Sequence, residues 1–443
     1  MKGSRRDFIR KGTYTAAGIS LAGVTRSAYA RKSVKGANEK VIFGIVGLHG
    51  RGRAHLGAIA ACENTEVGYV CDVDSRVLER AVEMVNETTG KKPKAYVDFR
   101  KMLENEDLDV VTIATPEHWH APMAIMALQA GKHVYVEKPC SHNPREGELL
   151  VEAQRKTGLL VQMGNQQRSA PTSIQAMKDI REGIIGDVYY GKGWYSNHRG
   201  SIGFGKVVSP PDWLNWELWQ GPAPRREYKD NWVHYNWHWI RDYGTGEINN
   251  NATHEIDICR WALGVDIPVK VTSSGGRFHF KDDWEFFDTQ NVNYEYAGGK
   301  MITWEGRSCN TFNQYDRGRG VTLHGTRGTI LLDRNDYIVY DGENKKVKQM
   351  REEDFSATTD TLGMGALDVY HMQNLLDGIR HGTPLNAPIN DARLSTLHCH
   401  LGNISQDVGR TLYLDTSNGH ILGDGQAMQF WSREYEPGWE LKV

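Results

Sequence analysis

The stretch Val41-Ile42-Phe43-Gly44-Ile45-Val46-Gly47-Leu48-His49-Gly50-Arg51-Gly52-Arg53-Ala54 decides the fold. A short apolar run ends in a glycine-rich turn, and a helical pattern over 54–61 follows. The rhythm then repeats. Apolar runs at 67–71, 110–115, 133–136 and 159–163 alternate with helical stretches at 75–89, 122–129 and 145–156. Runs this short and this apolar suit strands covered on both faces, so the alternation predicts a doubly wound parallel sheet over 41–163.

Beyond Gly164 the pattern changes. A helical stretch at 173–182 leads into an aromatic, loop-like region over 194–243, and longer alternating runs follow at 269–280, 289–296, 300–305 and 321–332. Alternation of that length predicts a large, open, mostly antiparallel sheet with one covered face. Helical patterns at 369–378 and 392–408 close the chain. The expected fold class is therefore α/β, with a first domain at 41–163 and a second α/β domain at 164–443 for substrate binding and oligomerisation.

With 39% hydrophobic and 24% charged residues, the 443-residue chain can bury a large core in about two to three domains. Its 53 basic and 55 acidic residues balance to −2, too little field to draw nucleic acid or an anionic membrane. The first residues stand apart. Ser4-Arg5-Arg6-Asp7-Phe8-Ile9-Arg10 precedes a mildly apolar stretch at 13–24 and then Ala28-Tyr29-Ala30. That order predicts a twin-arginine leader over 1–30, cleaved near Ala30, with a linker at 31–40, the twin-arginine export machinery as partner and the periplasm as destination. The apolar stretch is too short for a membrane span, so the mature chain is expected to be free of the membrane. Six scattered cysteines without a CxxC pair read as buried free thiols, though one disulfide stays open. His118 and His120, like His234 and His238, lack partners at ligand spacing, so no metal is expected.

The glycine turn follows a strand, opens a helix and has Asp72 at the end of the next strand, the pattern of a dinucleotide site in a Rossmann domain. Gly47 allows the tight turn, while Gly50, Arg51 and Gly52 bring helix N–H groups to the pyrophosphate. Asp72 can accept from both ribose hydroxyls and repel a 2′-phosphate, which points to NAD. His49 stands where the pattern has its middle glycine, so Gly50 must take over the close phosphate contact.

At Glu137-Lys138-Pro139 the sequence resembles the Gfo/Idh/MocA family of NAD(P)-dependent sugar oxidoreductases. Ala114-Thr115-Pro116 with His118 and His120, Gly164-Asn165-Gln166, the segment from Trp216 to Pro222, His254-Glu255-Ile256-Asp257 and Gly382-Thr383-Pro384 extend the resemblance over nearly the whole mature chain. The resemblance implies dimers or tetramers formed through the open sheet. It places Lys138 against the nicotinamide and the reacting hydroxyl, with Glu137, Thr115, Pro116, His118 and His120 on the nicotinamide side and Gln166 near substrate. Family members often carry an aspartate four residues before the histidine matching His254. Here Asn250 stands there, and an amide can hold a hydroxyl but cannot take a proton, so base duty is expected to shift to His254, with Asp257 on the substrate side one turn later either orienting it or facing solvent.

Seven of the 13 tryptophans lie between Trp194 and Trp239, a density that suits stacking on sugar rings. Trp237, Trp239 and Arg241 are expected to line the substrate cleft, and Trp216 and Trp219 to be structural. The expected function is hydride transfer between a sugar or glycoside ring carbon and a tightly bound NAD, with a 3-keto sugar as one product; export would require the cofactor to be loaded beforehand and recycled in place. An NAD-dependent glycosidase using transient C3 oxidation and elimination is the alternative. Against it, that subgroup is expected to carry a Tyr-Pro-Thr-His segment where this chain has Asn251-Ala252-Thr253-His254. The third reading is a non-catalytic sugar-binding protein on a Rossmann frame.

Overall fold

The computed structural model describes residues 40–351 and 366–443. The expected leader lies outside the described residues, as does all of the linker except Lys40.

Strand β1 (Val41–Val46) is buried except at Ile42, the pattern of a strand sandwiched between helices. With β2 (Thr65–Cys71), β3 (Lys94–Tyr96), β4 (Val110–Ile113), β5 (His133–Val136) and β6 (Val161–Met163) it forms a parallel sheet in the order β3-β2-β1-β4-β5-β6. The order reverses between β1 and β4, and the crevice beyond the carboxyl ends of these strands is where such sheets bind ligands. β3 is short and largely exposed, so no apolar run announced it.

Ten further strands among the described residues build the second sheet: β7 (Val188–His198), β8 (Lys270–Gly276), β9 (Thr289–Tyr296), β10 (Lys300–Arg307), β11 (Cys309–Asn310), β12 (Arg319–Gly325), β13 (Gly328–Leu332), β14 (Asp336–Asp341), β15 (Lys346–Arg351) and β16 (Leu412–Tyr413). Their order is β15-β14-β13-β12-β7-β10-β9-β8-β16, with β11 beside β7; only the β7–β10 pair is parallel. Helices Thr253–Leu263 and Ile389–Val408 pack on one face. Close approach needs small residues on β7, for a Cβ on Gly193 would sit 2.6 Å from that of Glu255.

Three local readings are corrected. The run at 321–332 is a hairpin, because Gly325 and Gly328 admit a two-residue turn inside an otherwise strand-like stretch. The run at 269–280 stops at Gly276, where the Asp288 carboxylate takes the N–H groups of Phe278 and His279. The aromatic region read as a loop from Trp194 begins inside β7.

The boundary at 163/164 is also crossed. Helix Ala366–His381 returns to the first sheet, and Met372, Leu375, Leu376 and Ile379 share a core with Val41, Phe43 and Ile45. An amphipathic pattern shows that a helix has an apolar face, not which sheet receives it. All six cysteines are buried and free. No helix among the described residues is long and apolar enough to cross a membrane.

Candidate functional site

A cavity of about 690 Å³ opens at the carboxyl ends of the parallel strands, within the range of ~300–1,000 Å³ usual for ligand sites. Gly47, His49, Gly50, Arg51 and Asp72 form one end; Thr115, Pro116, His120, Glu137, Lys138 and Gln166 form the middle; Trp237, Asn250 and His254 border the other.

At the first end, Gly47 has φ +80°, and a Cβ there would lie 2.5 Å from the Ala114 carbonyl oxygen. A Cβ on Gly52 would meet the Gly47 carbonyl oxygen at 1.9 Å. Both positions therefore require glycine for the helix to close onto the turn. The helix starts at Gly50, earlier than the sequence pattern placed it, and His49 at its N-cap makes no side-chain capping bond, which leaves first-turn N–H groups for a ligand. The His49 ring lies against His234, centroids 4.0 Å apart. Asp72 accepts from the N–H groups of Leu48 (2.7 Å) and Asp74 (2.9 Å); burial raises its carboxyl and these bonds oppose the shift. A glycine cradle, free helix N–H groups and a buried carboxylate fit a dinucleotide.

In the middle, the Arg51 guanidinium bridges Glu137 (2.8 Å) and Asp368 (2.7 Å). Glu137 also meets His55 at 2.9 Å and accepts from Gln166 at 3.1 Å. Burial opposes ionisation of Glu137, but the charge of Arg51 and the His55 contact hold its carboxyl well below the usual range. The His120 ring sits between the carbonyls of Pro139 (2.6 Å) and Thr115 (2.8 Å) and so braces the segments that follow β4 and β5.

At the far end, Lys138 Nζ donates to the backbone oxygen of Asn250 (2.5 Å) and to its Oδ1 (3.3 Å). Burial pushes the ammonium down to about 8, against the opposing charges of Glu117 and Glu137. Asn250 lies in a single π-helical turn, Ile248–Ala252, that opens helix Thr253–Leu263 and delivers His254 to the same wall. Burial, and then the charges of Arg334, Arg319 and Lys138, hold the His254 imidazole well below its ordinary value. It is a neutral ring at physiological pH, and neither nitrogen is hydrogen-bonded among the described residues. Burial lifts Glu117 to about 7, although it accepts from the Thr245 hydroxyl.

Several expected site residues lie elsewhere. His118 is buried between the Trp219 (3.0 Å) and Tyr243 (3.3 Å) carbonyls and turns away from the cavity. Arg241 pairs with Asp407 at 2.7 Å, over the Phe286 ring. Asp257 takes the Arg168 guanidinium at 2.6 and 2.9 Å and the Ser395 hydroxyl at 2.7 Å, so it fastens helices together rather than orienting His254. Trp239 is fully buried and stacked on Trp284, and Trp216, Trp219 and Trp232 pack with Tyr243 into a small aromatic core. Only part of the aromatic segment faces the cavity, including Trp237, stacked on His238 at 3.6 Å. Tyr195, Asn197, Arg199, Arg319 and Arg334 also line it. No motif marked them, because they arrive on and just after β7, at the start of β12 and in the β13–β14 turn, far apart in sequence. Among the described residues one group, His49, Asp74 and His234, has its ligand atoms close enough to consider a metal. Asp74 is already committed to the Arg76 guanidinium at 2.9 Å and meets His234 at 3.2 Å, so its carboxylate has partners within the protein.

Comparison with known proteins agrees with this geometry. Residues 41–165 match the description "Oxidoreductase family, NAD-binding Rossmann fold", and residues 174–331 match the GFO/IDH/MocA C-terminal domain. An α-N-acetylgalactosaminidase from Tannerella forsythia is 25% identical over 440 residues, covering 88% of this chain and 92% of that protein. A glycosyl hydrolase family 109 protein from Shewanella baltica (strain OS185) is 30% identical over 208 residues; that match spans 43% of this chain and 45% of the relative. Levoglucosan dehydrogenase in complex with NADH and levoglucosan shares the fold, with a TM-score of 0.66 at 19% identity over 85% of this chain and 99% of that one.

Proposed function

The chain belongs to the Gfo/Idh/MocA oxidoreductase family and carries its NAD-binding Rossmann domain, and on that premise we propose that it oxidises a ring hydroxyl of a glycoside and uses the new carbonyl to break the glycosidic bond. The observation that carries this reading is the pair of proton acceptors, Lys138 and His254, on one cavity wall. A simple dehydrogenase needs one base; an oxidation followed by elimination needs two. The glycosidase name of the relative matched over nearly its whole length supports the same choice.

NAD held by the glycine turn and Asp72 would accept a hydride from the sugar and later return it. Lys138 manages the hydroxyl proton. Its neutral amine has two N–H groups, both directed at oxygens of Asn250, which leaves the lone pair for the substrate. An aspartate at 250 would favour the ammonium instead, so the amide tunes Lys138 rather than merely shifting base duty to His254. The ring carbonyl then acidifies the neighbouring C–H, and His254 accepts that proton as the bond to the leaving oxygen breaks. Water adds to the resulting double bond, and reduction of the carbonyl restores the hydroxyl, so the sum is hydrolysis with no net redox change. Such a closed cycle also suits the expected export.

Nitrophenyl glycosides test the reading. Phenol should be released over many turnovers while reduced cofactor never exceeds one equivalent per site. Accumulation of keto-glycoside with an intact aglycone and an added acceptor would overturn it in favour of a net dehydrogenase, a reading that Asn251 in place of the expected tyrosine favours. A second measurement addresses Asn250. Because the neutral fraction of Lys138 grows as pH rises through about 8, reduction of bound NAD should speed up over that interval. Asn250→Asp should move this midpoint upward by about 1–3 pH units. An unmoved profile would show that Lys138 is not the titrating base.

A further inference from the structure

The turn between β13 and β14 places an arginine, Arg334, on the cavity wall beside the proposed reaction centre. The turn is braced. Arg317 Nη1 pairs with both Asp333 (2.6 Å) and Asp336 (2.5 Å). The N–H groups of Asn335 and Asp336 donate to Asp333 Oδ1 at 2.8 and 3.0 Å, and Gln167 Nε2 donates to the Asp333 carbonyl at 3.1 Å. Arg334 is thus carried on a fixed backbone, with the carboxylates on either side of it already committed.

The carboxylates whose charge reaches Arg334, Glu255 and Asp368, are committed to other arginines. Glu255 holds Arg319 at 2.6 Å, Glu247 holds Arg199 at 2.5 Å, and Glu137 with Asp368 holds Arg51. Arg334 itself has no ion pair or hydrogen bond among the described residues. Burial, and then the neighbouring Arg319, hold its guanidinium down at about 9. A half-buried guanidinium beside another cation is poorly compensated unless something with negative charge enters with it. Arg334 lines the cavity together with His254 and Lys138, and its charge acts on both.

We infer that the substrate carries an oxyanion, a carboxylate or a sulfate ester, on the ring that is oxidised, and that Arg334 pairs with it. This rests on the glycoside reading of the cavity. A planar carboxylate and a tetrahedral sulfate both accept two N–H groups from the guanidinium fork, and a neutral hydroxymethyl group cannot supply the charge.

The experiment compares three series on the NAD-loaded protein: neutral nitrophenyl hexosides, the corresponding hexuronides, and their ring-sulfated esters. The wild type should favour one anionic series by ~10²-fold in kcat/KM, and Arg334→Gln should collapse that ratio towards unity, mainly through KM, with Arg334→Lys between the two. Which anionic series wins identifies the oxyanion. A wild type indifferent to charge overturns the proposal, as does a ratio that survives Arg334→Gln because both series fall alike; the latter would instead place Arg334 at the reacting oxygen. Calorimetric binding of free hexuronate and of sulfated monosaccharide separates this inference from the one beneath it. Binding that Arg334→Gln abolishes, without phenol release from any series, upholds the anion site and overturns glycoside cleavage. Cleavage of neutral glycosides without anion binding does the reverse.

Discussion

Replacing Lys138 with alanine is expected to slow the reduction of bound NAD by a glycoside about 10²–10⁴-fold, the usual contribution of a positioned base, and to leave the cofactor in place. The two oxygens of Asn250 lose their donor, and no other amine on the wall can take its position. The groups that hold the dinucleotide, the glycine turn and Asp72, lie at the other end of the cavity. Purified Lys138→Ala protein should therefore contain as much NAD as the wild type and show no rise at the reduced-nicotinamide band when glycoside is added. Lys138→Arg should be equally inactive, since a guanidinium keeps its proton and has no lone pair to offer. Loss of NAD from the alanine variant would show that Lys138 holds the cofactor instead.

The second large effect is on stability. Arg51 joins three parts of the chain: the helix of the glycine turn, the end of β5 through Glu137, and helix Ala366–His381 through Asp368. Arg51→Ala leaves two buried carboxylates facing each other, with His55 and Gln166 as the remaining partners of Glu137. Removing one partner of a buried ion pair costs about 3–5 kcal/mol, far more than the pair's net worth, because the charge left behind stays desolvated. Denaturant unfolding should show that loss. Adding Glu137→Gln and Asp368→Asn to Arg51→Ala should recover most of it, which separates stranded charge from lost packing. A loss under about 1 kcal/mol in the single variant would mean the cluster behaves as a solvated surface pair.

The residues that were legible in the sequence are those whose role depends on near neighbours in the chain. Gly47 and Gly52 were readable from their places in a strand-to-helix turn, where a Cβ on Gly52 would meet the Gly47 carbonyl oxygen at 1.9 Å; the clash at Gly47, 2.5 Å from the Ala114 carbonyl oxygen, comes from the end of β4. Lys138 was singled out by the family resemblance, and its place after an apolar strand at the mouth of a parallel sheet agreed with it. His254 was readable only with the family resemblance, and its neutrality came from burial and four cations remote in sequence. Asp257 and His118 misled for one reason: spacing puts a side chain on a helix face or in a turn, but the partner it finds, Arg168 for one and two backbone carbonyls for the other, comes from elsewhere.

By itself, then, the amino-acid sequence determined the alternation of short strands and helices, the glycine turn and the acid at the end of β2, since hydrophobic period and turn chemistry act over a few residues. Tertiary structure alone decided that helix Ala366–His381 completes the first domain's core, that the tryptophans mostly pack on one another, and that Arg334 reaches the cavity with no ion pair of its own among the described residues. Those outcomes rest on contacts between segments hundreds of residues apart, whose energy depends on desolvation and mutual fit and leaves no periodic trace along the chain.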